Sequence, residues 1–296
     1  ISERAWKMGG AQMFVKVGDR VRVEDLIRGI IIQSGNDACV AMAEALAGSE
    51  EGFAKLMTER AQEIGLTASR FKNSTGLHDP EHVMSVRDLA MLARRIITDF
   101  PDYYRYYSEK EFTFAGIKQP NRNPLLQANV PGVDGVKTGY TEEAGYGLVL
   151  SAVRDDRRVI AVIAGLDSLR QRKGEGERLL EFAFRDFQEY RLFPAGTTVA
   201  DLPVWLGAAE TVSLVAKETV GITLTREARK GLAVKARYHT PVTAPIAAGQ
   251  QLGELEITVP GKEPRIVPLV AAHEVPKAGM LGRITSALRY LVWGAG

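Results

Sequence analysis

Apolar residues recur at three- and four-residue spacing in several stretches, and each predicts a helix. Residues 23–32 form a short one, with Glu24 and Asp25 where acidic side chains favour a helix start. Ser34-Gly-Asn36 interrupts the pattern, which resumes from Asp37 to Ala47 as an alanine-rich buried helix ending at Gly48. Ser49 caps the next helix, whose inner face carries Phe53, Leu56, Met57, Ala61 and Ile64 and which Gly65 stops. Ser85 caps another over residues 86–98, closed by Phe100-Pro101, and residues 175–190 form a fifth with Leu179, Leu180, Phe184 and Phe187 inward.

Between these the period changes to two. Gln12-Met-Phe-Val-Lys-Val17 reads as a short strand in an otherwise looped start. Residues 147–154 and 158–165 read as a hairpin turned by Asp155-Asp156. Residues 66–84 are turn-rich, and 103–131 are aromatic and polar, with Asn121-Arg-Asn123 in a loop. After Phe193-Pro194-Ala-Gly196 the chain shows only short strands broken by Gly and Pro, which predicts a small all-β domain. Residues 280–293 are amphipathic, with Leu281, Ile284, Leu288 and Leu291 on one helical face and Arg283 and Arg289 on the other.

With 296 residues, 45% of them hydrophobic, two domains are expected. The 38 basic and 36 acidic residues nearly cancel, so nothing points to nucleic acid. A single cysteine, Cys39, excludes an internal disulfide framework and reads as a small buried apolar residue. His78, His82, His239 and His273 lack metal-ligand spacing, and no glycine-rich stretch has phosphate-loop spacing, so no metal or organic cofactor is expected. Ile1 is not a methionine, and we expect sequence upstream of it.

The densest candidate chemistry lies at residues 130–146. Gly132, Gly135 and Gly139 allow tight turning and close ligand approach around Lys137, which stands beside the Thr138 hydroxyl. A Lys-Thr-Gly tripeptide alone turns up in roughly one protein of this length in ten. Ser34-Gly-Asn36, at the break between two apolar helical pieces, is either a simple kink or a hydroxyl and an amide set into a cleft. Both tripeptides in this order arise by chance in under about one per cent of such chains.

On Ser34-Gly-Asn36, Asn121-Arg-Asn123 and Val133-Asp-Gly-Val-Lys-Thr-Gly139, together with residues 26–39, the chain resembles the D-alanyl-D-alanine carboxypeptidases. These are low-molecular-mass penicillin-binding serine peptidases, and the likeness runs nearly the whole length. It implies an α+β fold of the β-lactamase/transpeptidase type, a helical cluster against an antiparallel sheet, with its N-terminal part missing. The expected domains are 1–192 for the catalytic part, 193–277 for the β-domain and 278–296 for a membrane-anchoring helix. The implied activity removes the terminal D-Ala from peptidoglycan stem peptides through an acyl-enzyme, with β-lactams as inhibitors. It also implies a site on the periplasmic side of the cytoplasmic membrane, with residues 280–293 on its anionic surface. In the alternative reading that segment packs on a partner or on the chain's own β-domain.

By the same resemblance Ser34 serves proton transfer and Asn36 holds a substrate amide. Lys137 supplies positive charge, Thr138 donates to the terminal carboxylate, Gly139 lies along the substrate, and the Tyr140 N–H forms half an oxyanion hole. Arg172, in Arg170-Gln-Arg-Lys-Gly174, is either a solvated loop residue or the group that grips the carboxylate, and Arg122 is a hydrogen-bonding residue of the cleft floor. The family's Ser-x-x-Lys nucleophile motif precedes Ser-Gly-Asn, and here only Ser2-Glu-Arg-Ala5 stands in that region. The literal match, Ser69-Arg-Phe-Lys72, lies downstream in turn-rich sequence and reads as surface loop. We therefore expect a truncation that removes the nucleophile, and no acyl-enzyme from residues 1–296 alone. A non-catalytic peptidoglycan-binding scaffold is the rival from another class, and a β-lactamase or transpeptidase the rival within the fold.

Overall fold

Serine caps set the helix starts in the first part of the chain. Ser2 Oγ accepts from the Ala5 amide at 3.0 Å and opens α1 (Glu3–Trp6). α2 (Val23–Arg28) widens into a π-helical turn over Gly29–Gln33 and stops at Ser34, held in the left-handed region at φ 59°. α3 (Asn36–Ala47) follows at once. Ser49 Oγ then accepts from Gly52 at 3.0 Å to start α4 (Glu50–Glu63), and Ser85 Oγ from Asp88 at 3.1 Å to start α5 (Val86–Asp99).

The computed structural model describes residues 1–279, and the chain divides into two compact units, Ile1–Phe184 and Arg185–Gly296. In the first unit α6 (Pro101–Tyr104) leads into a hairpin of β1 (Glu111–Phe114) and β2 (Ile117–Pro120), then α7 (Pro124–Gln127). β3 (Val133–Thr141), β4 (Gly145–Arg154) and β5 (Arg157–Leu166) form a three-stranded antiparallel sheet in that order. Asp155 and Asp156 turn β4 into β5 with φ of 49° and 59°, the paired positive values that a two-residue hairpin loop requires. α8 (Leu169–Asp186) contributes Leu180 to a core with Leu125, Leu148, Leu150 and Ala152. A second core gathers Met13, Val15, Leu26, Ile32, Ala38 and Val40 around the helices.

Gly132 sits at φ 79°, and a Cβ there would run into the carbonyl of Val153, whose amide bonds back to Gly132 O at 2.8 Å. Gly132→Ala is expected to lower the stability of this unit by on the order of 2 kcal/mol, read as an earlier unfolding transition in urea.

Two expectations are corrected. Residues 12–17 form no strand, because the amides of Met13, Phe14 and Val15 go to the Asp37 carboxylate at 2.9, 2.9 and 3.2 Å and not to a neighbouring strand. The helix expected over 175–190 starts earlier and ends at Asp186. β6 (Phe187–Phe193) follows directly and finds a strand partner far along the chain.

Beyond α8, the described residues of the second unit form strands and one short helix. After β6 come β7 (Thr198–Trp205), β8 (Thr211–Ala216), β9 (Val220–Thr225) and α9 (Arg226–Lys230). β10 (Ala233–Tyr238), β11 (Val242–Thr243), β12 (Gln251–Thr258) and β13 (Arg265–Ala271) complete it. β6 pairs with β9, and the other strands form a six-stranded sheet in the order β10-β12-β13-β8-β7-β11 around Leu202, Leu214, Leu255 and Leu269. The amphipathic stretch 280–293 lies outside the described residues. Among the described residues no helix is long and apolar enough to cross a membrane.

Candidate active site

The π-helical turn before Ser34 and the left-handed Ser34 backbone are local departures of the kind that gather at functional sites. They turn the Ser34 hydroxyl toward β3, where Lys137 Nζ donates to Ser34 Oγ at 2.8 Å and to the Thr138 carbonyl at 3.1 Å. The two tripeptides that stood out in sequence are thus in direct contact.

Asn36, buried at the start of α3, is held from both ends. Its backbone N–H donates to Ala11 O at 2.7 Å and its Nδ2 to Gly9 O at 2.9 Å, which leaves its second amide hydrogen for a ligand. The loop that supplies those carbonyls is fixed in turn by Asp37. This fully buried carboxylate accepts from Met13, Phe14, Val15 and Ala38.

Asn121-Arg-Asn123 braces the same cleft. Asn123 Oδ1 caps α7 by accepting from Leu125 at 3.1 Å, while its Nδ2 donates to Gly135 O in β3 at 3.0 Å. Arg122 Nε donates to Gln33 O at 3.0 Å, one residue before Ser34. Gly139 faces open space, with nothing within 4 Å of a hypothetical Cβ. Thr138 is half-buried beside it and Tyr140 is exposed.

Arg172 lies in the first turns of α8 and not in a solvated loop; it is 7% exposed. Its Nε is buried with no hydrogen-bond partner, and no carboxylate pairs with Lys137, Arg122 or Arg172 among the described residues. Burial pulls the Arg172 guanidinium below its usual range, opposed by Tyr146 and helped by Arg122. Burial likewise brings Lys137 from 10.5 to about 8, and the cations Arg122 and Arg172 add to it. Cys39 itself is pushed up to about 12 by burial, so it stays a neutral thiol.

Because Lys137 holds its proton less tightly folded than unfolded, the stability of this unit is expected to rise as pH climbs from about 8 to 10.5. Nitrogen NMR of Lys137 is expected to titrate with a midpoint near 8. A midpoint close to 10.5 would contradict this account of the site.

The Ser69-Arg-Phe-Lys72 match is occupied elsewhere. Ser69, buried and not on the surface, donates its hydroxyl to Asp88 Oδ2 at 2.7 Å, and Lys72 pairs with Glu81 at 2.8 Å. Sequence reasoning missed Asp37 and Tyr146. Tyr146 stands opposite Tyr140 across β3 and β4 and stacks on it at 4.3 Å, and the Arg172 guanidinium lies over the Tyr146 ring, 5.5 Å from its centre. The hairpin register carried that signal, since Tyr140 and Tyr146 flank a tight turn. The Asp37 signal was a lone acid directly after Ser34-Gly-Asn36, beside a loop with no strand partner.

A family model described as D-alanyl-D-alanine carboxypeptidase matches residues 1–168, and one described as penicillin-binding protein 5, C-terminal domain, matches 187–277. The chain is 41% identical to the D-alanyl-D-alanine carboxypeptidase DacC of Escherichia coli over 93% of its own length and 69% of that protein. Penicillin-binding protein 5 from Haemophilus influenzae is 37% identical and superposes with a TM-score of 0.83, covering 94% of this chain and 82% of that one. Penicillin-binding protein D2 from Listeria monocytogenes, solved in its ampicillin-bound form, is 30% identical with a TM-score of 0.52 over 56% of this chain and 68% of its own. With its Ser-Gly-Asn turn and Lys-Thr-Gly strand in contact, and both family models matched in order, the chain belongs to the D-alanyl-D-alanine carboxypeptidase family.

Proposed function

We propose that this cleft hydrolyses the terminal D-Ala–D-Ala bond of peptidoglycan stem peptides by a serine acyl-enzyme route that β-lactams block. The observation that carries it is the 2.8 Å contact of Lys137 with Ser34, beside the cations Arg122 and Arg172, none of which pairs with a carboxylate among the described residues. A site of that charge calls for an anionic ligand, and the substrate's free carboxylate is one.

We assign the roles by the family resemblance, with the geometry in support. Lys137, Thr138 and Arg172 receive the terminal carboxylate, with the guanidinium offering planar paired donors. Ser34 passes a proton in concert with Lys137, whose ammonium, at about 8, exchanges readily near neutral pH. Asn36 holds the preceding substrate amide, Gly139 lets the substrate run alongside β3, and the Tyr140 N–H polarises the scissile carbonyl. Arg122 fixes the carbonyl before Ser34. The acylated serine belongs to a Ser-x-x-Lys segment outside residues 1–296, since Ser69 and Lys72 are committed to Asp88 and Glu81. Residues 1–296 alone then form no acyl-enzyme. The reading extends to place: the chain works on the periplasmic face of the cytoplasmic membrane, with 280–293 on its anionic surface.

Incubating the full-length protein with an Nα-acylated peptide ending in D-Ala-D-Ala is expected to release one D-alanine per peptide. Peptide binding without release would instead favour the non-catalytic scaffold.

A further inference from the structure

Arg172 poses a physical problem. Its guanidinium is buried, its Nε has no hydrogen-bond partner, and it feels the neighbouring cations Arg122 and Lys137. An arginine in that setting has every reason to swing out toward water, because a buried charge without a partner is strongly disfavoured. What faces it instead is an aromatic ring. The guanidinium carbon lies 5.5 Å from the centre of Tyr146, within the range over which a ring face attracts a cation. Tyr146 is itself steadied by Tyr140, directly opposite it in the β3–β4 register, with the rings stacked at 4.3 Å and 30°. Tyr140 is 54% exposed, so the aromatic pair reaches the protein surface.

We propose that Tyr146 is a positioning residue that holds the Arg172 guanidinium in the cleft, ready for the substrate's terminal carboxylate, with Tyr140 as the outer layer of the stack. Tyr146 touches no reacting atom in this role. It neutralises part of the penalty of keeping Arg172 buried before substrate arrives, so that less reorganisation accompanies binding. The ring matters and the phenolic hydroxyl does not. This inference rests on the reading of Arg172 as the carboxylate-binding group.

The test compares two ligands on the chain of residues 1–296, where binding is followed at equilibrium by NMR titration. One is an Nα-acetylated tripeptide ending in D-Ala-D-Ala, the other its C-terminal amide. The ratio of their affinities reports recognition of the carboxylate. In Tyr146→Leu that ratio is expected to drop about fivefold, in keeping with the loss of one partly desolvated cation–ring contact. Tyr146→Phe is expected to keep the full ratio. In an Arg172→Ala background, Tyr146→Leu is expected to change the ratio no further, since the two act through one group.

The outcomes separate cleanly. If the parent chain does not prefer the acid, or Arg172→Ala leaves the preference intact, the carboxylate role of Arg172 falls and this inference with it. If Arg172→Ala abolishes the preference while Tyr146→Leu preserves it, Arg172 keeps its role and Tyr146 loses the one assigned here. Equal losses in Tyr146→Phe and Tyr146→Leu would shift the effect to the hydroxyl and overturn the proposal. A general loss of fold in Tyr146→Leu would weaken both ligands alike and leave their ratio unchanged, which also counts against it.

Discussion

Lys137→Ala is expected to lower kcat/KM of the full-length protein for a D-Ala–D-Ala peptide by about 100- to 1000-fold, the range for losing one preorganised charge-stabilising group. The side chain is held on Ser34 Oγ and the Thr138 carbonyl, so alanine removes both the proton partner of Ser34 and the nearest cation of the cleft. Stability is expected to move the other way. Burial and the neighbouring Arg122 and Arg172 already disfavour the Lys137 charge, and deleting it relieves that repulsion. D-alanine release and thermal melting measured on one variant therefore separate the two effects: activity collapses while the melting temperature holds or rises. A joint loss of activity and melting temperature would show Lys137 to be a structural residue.

Asp37→Ala is expected to destabilise the first unit by on the order of 4 kcal/mol, the largest stability change we anticipate from a single polar substitution. The carboxylate is 1% exposed and accepts from the amides of Met13, Phe14, Val15 and Ala38. Alanine leaves those buried donors unpaired, and each such donor costs about 1–3 kcal/mol, partly recovered by relaxation and water entry. The same change loosens the loop that presents Gly9 O and Ala11 O to Asn36, so binding suffers along with stability. Asp37→Asn keeps one acceptor oxygen and is expected to fall between. Urea unfolding gives the magnitude, and faster hydrogen exchange at the Met13, Phe14 and Val15 amides locates it. Unchanged exchange at those amides would contradict the anchoring role.

Where local chemistry decided the structure, the sequence was legible. Ser49 and Ser85 cap the helices read from them, and Asp155-Asp156 turns the hairpin, because each acts within a few residues of itself. The Ser34 and Lys137 motifs could be singled out for the same reason, although only a family likeness put them opposite each other. Where a distant group decided, local reading failed. Gln12 to Val17 alternates like a strand, yet a carboxylate more than twenty positions on captures its amides. Phe187 continues a helical apolar stripe, yet its backbone pairs with Thr225 in β9. Arg172 reads as one of several basic residues in a row, and only the packing of α8 buries it.

The central claim is that residues 1–296 hold the carboxylate and proton-transfer side of a penicillin-binding active site whose acylated serine lies outside them. Covalent labelling with a fluorescent penicillin tests it most directly, run on residues 1–296 and on the protein extended to its natural start. The account predicts a label on the longer protein alone, at the serine of an upstream Ser-x-x-Lys. Labelling of the shorter chain, at Ser34 or Ser69, or no label on either protein, would contradict it.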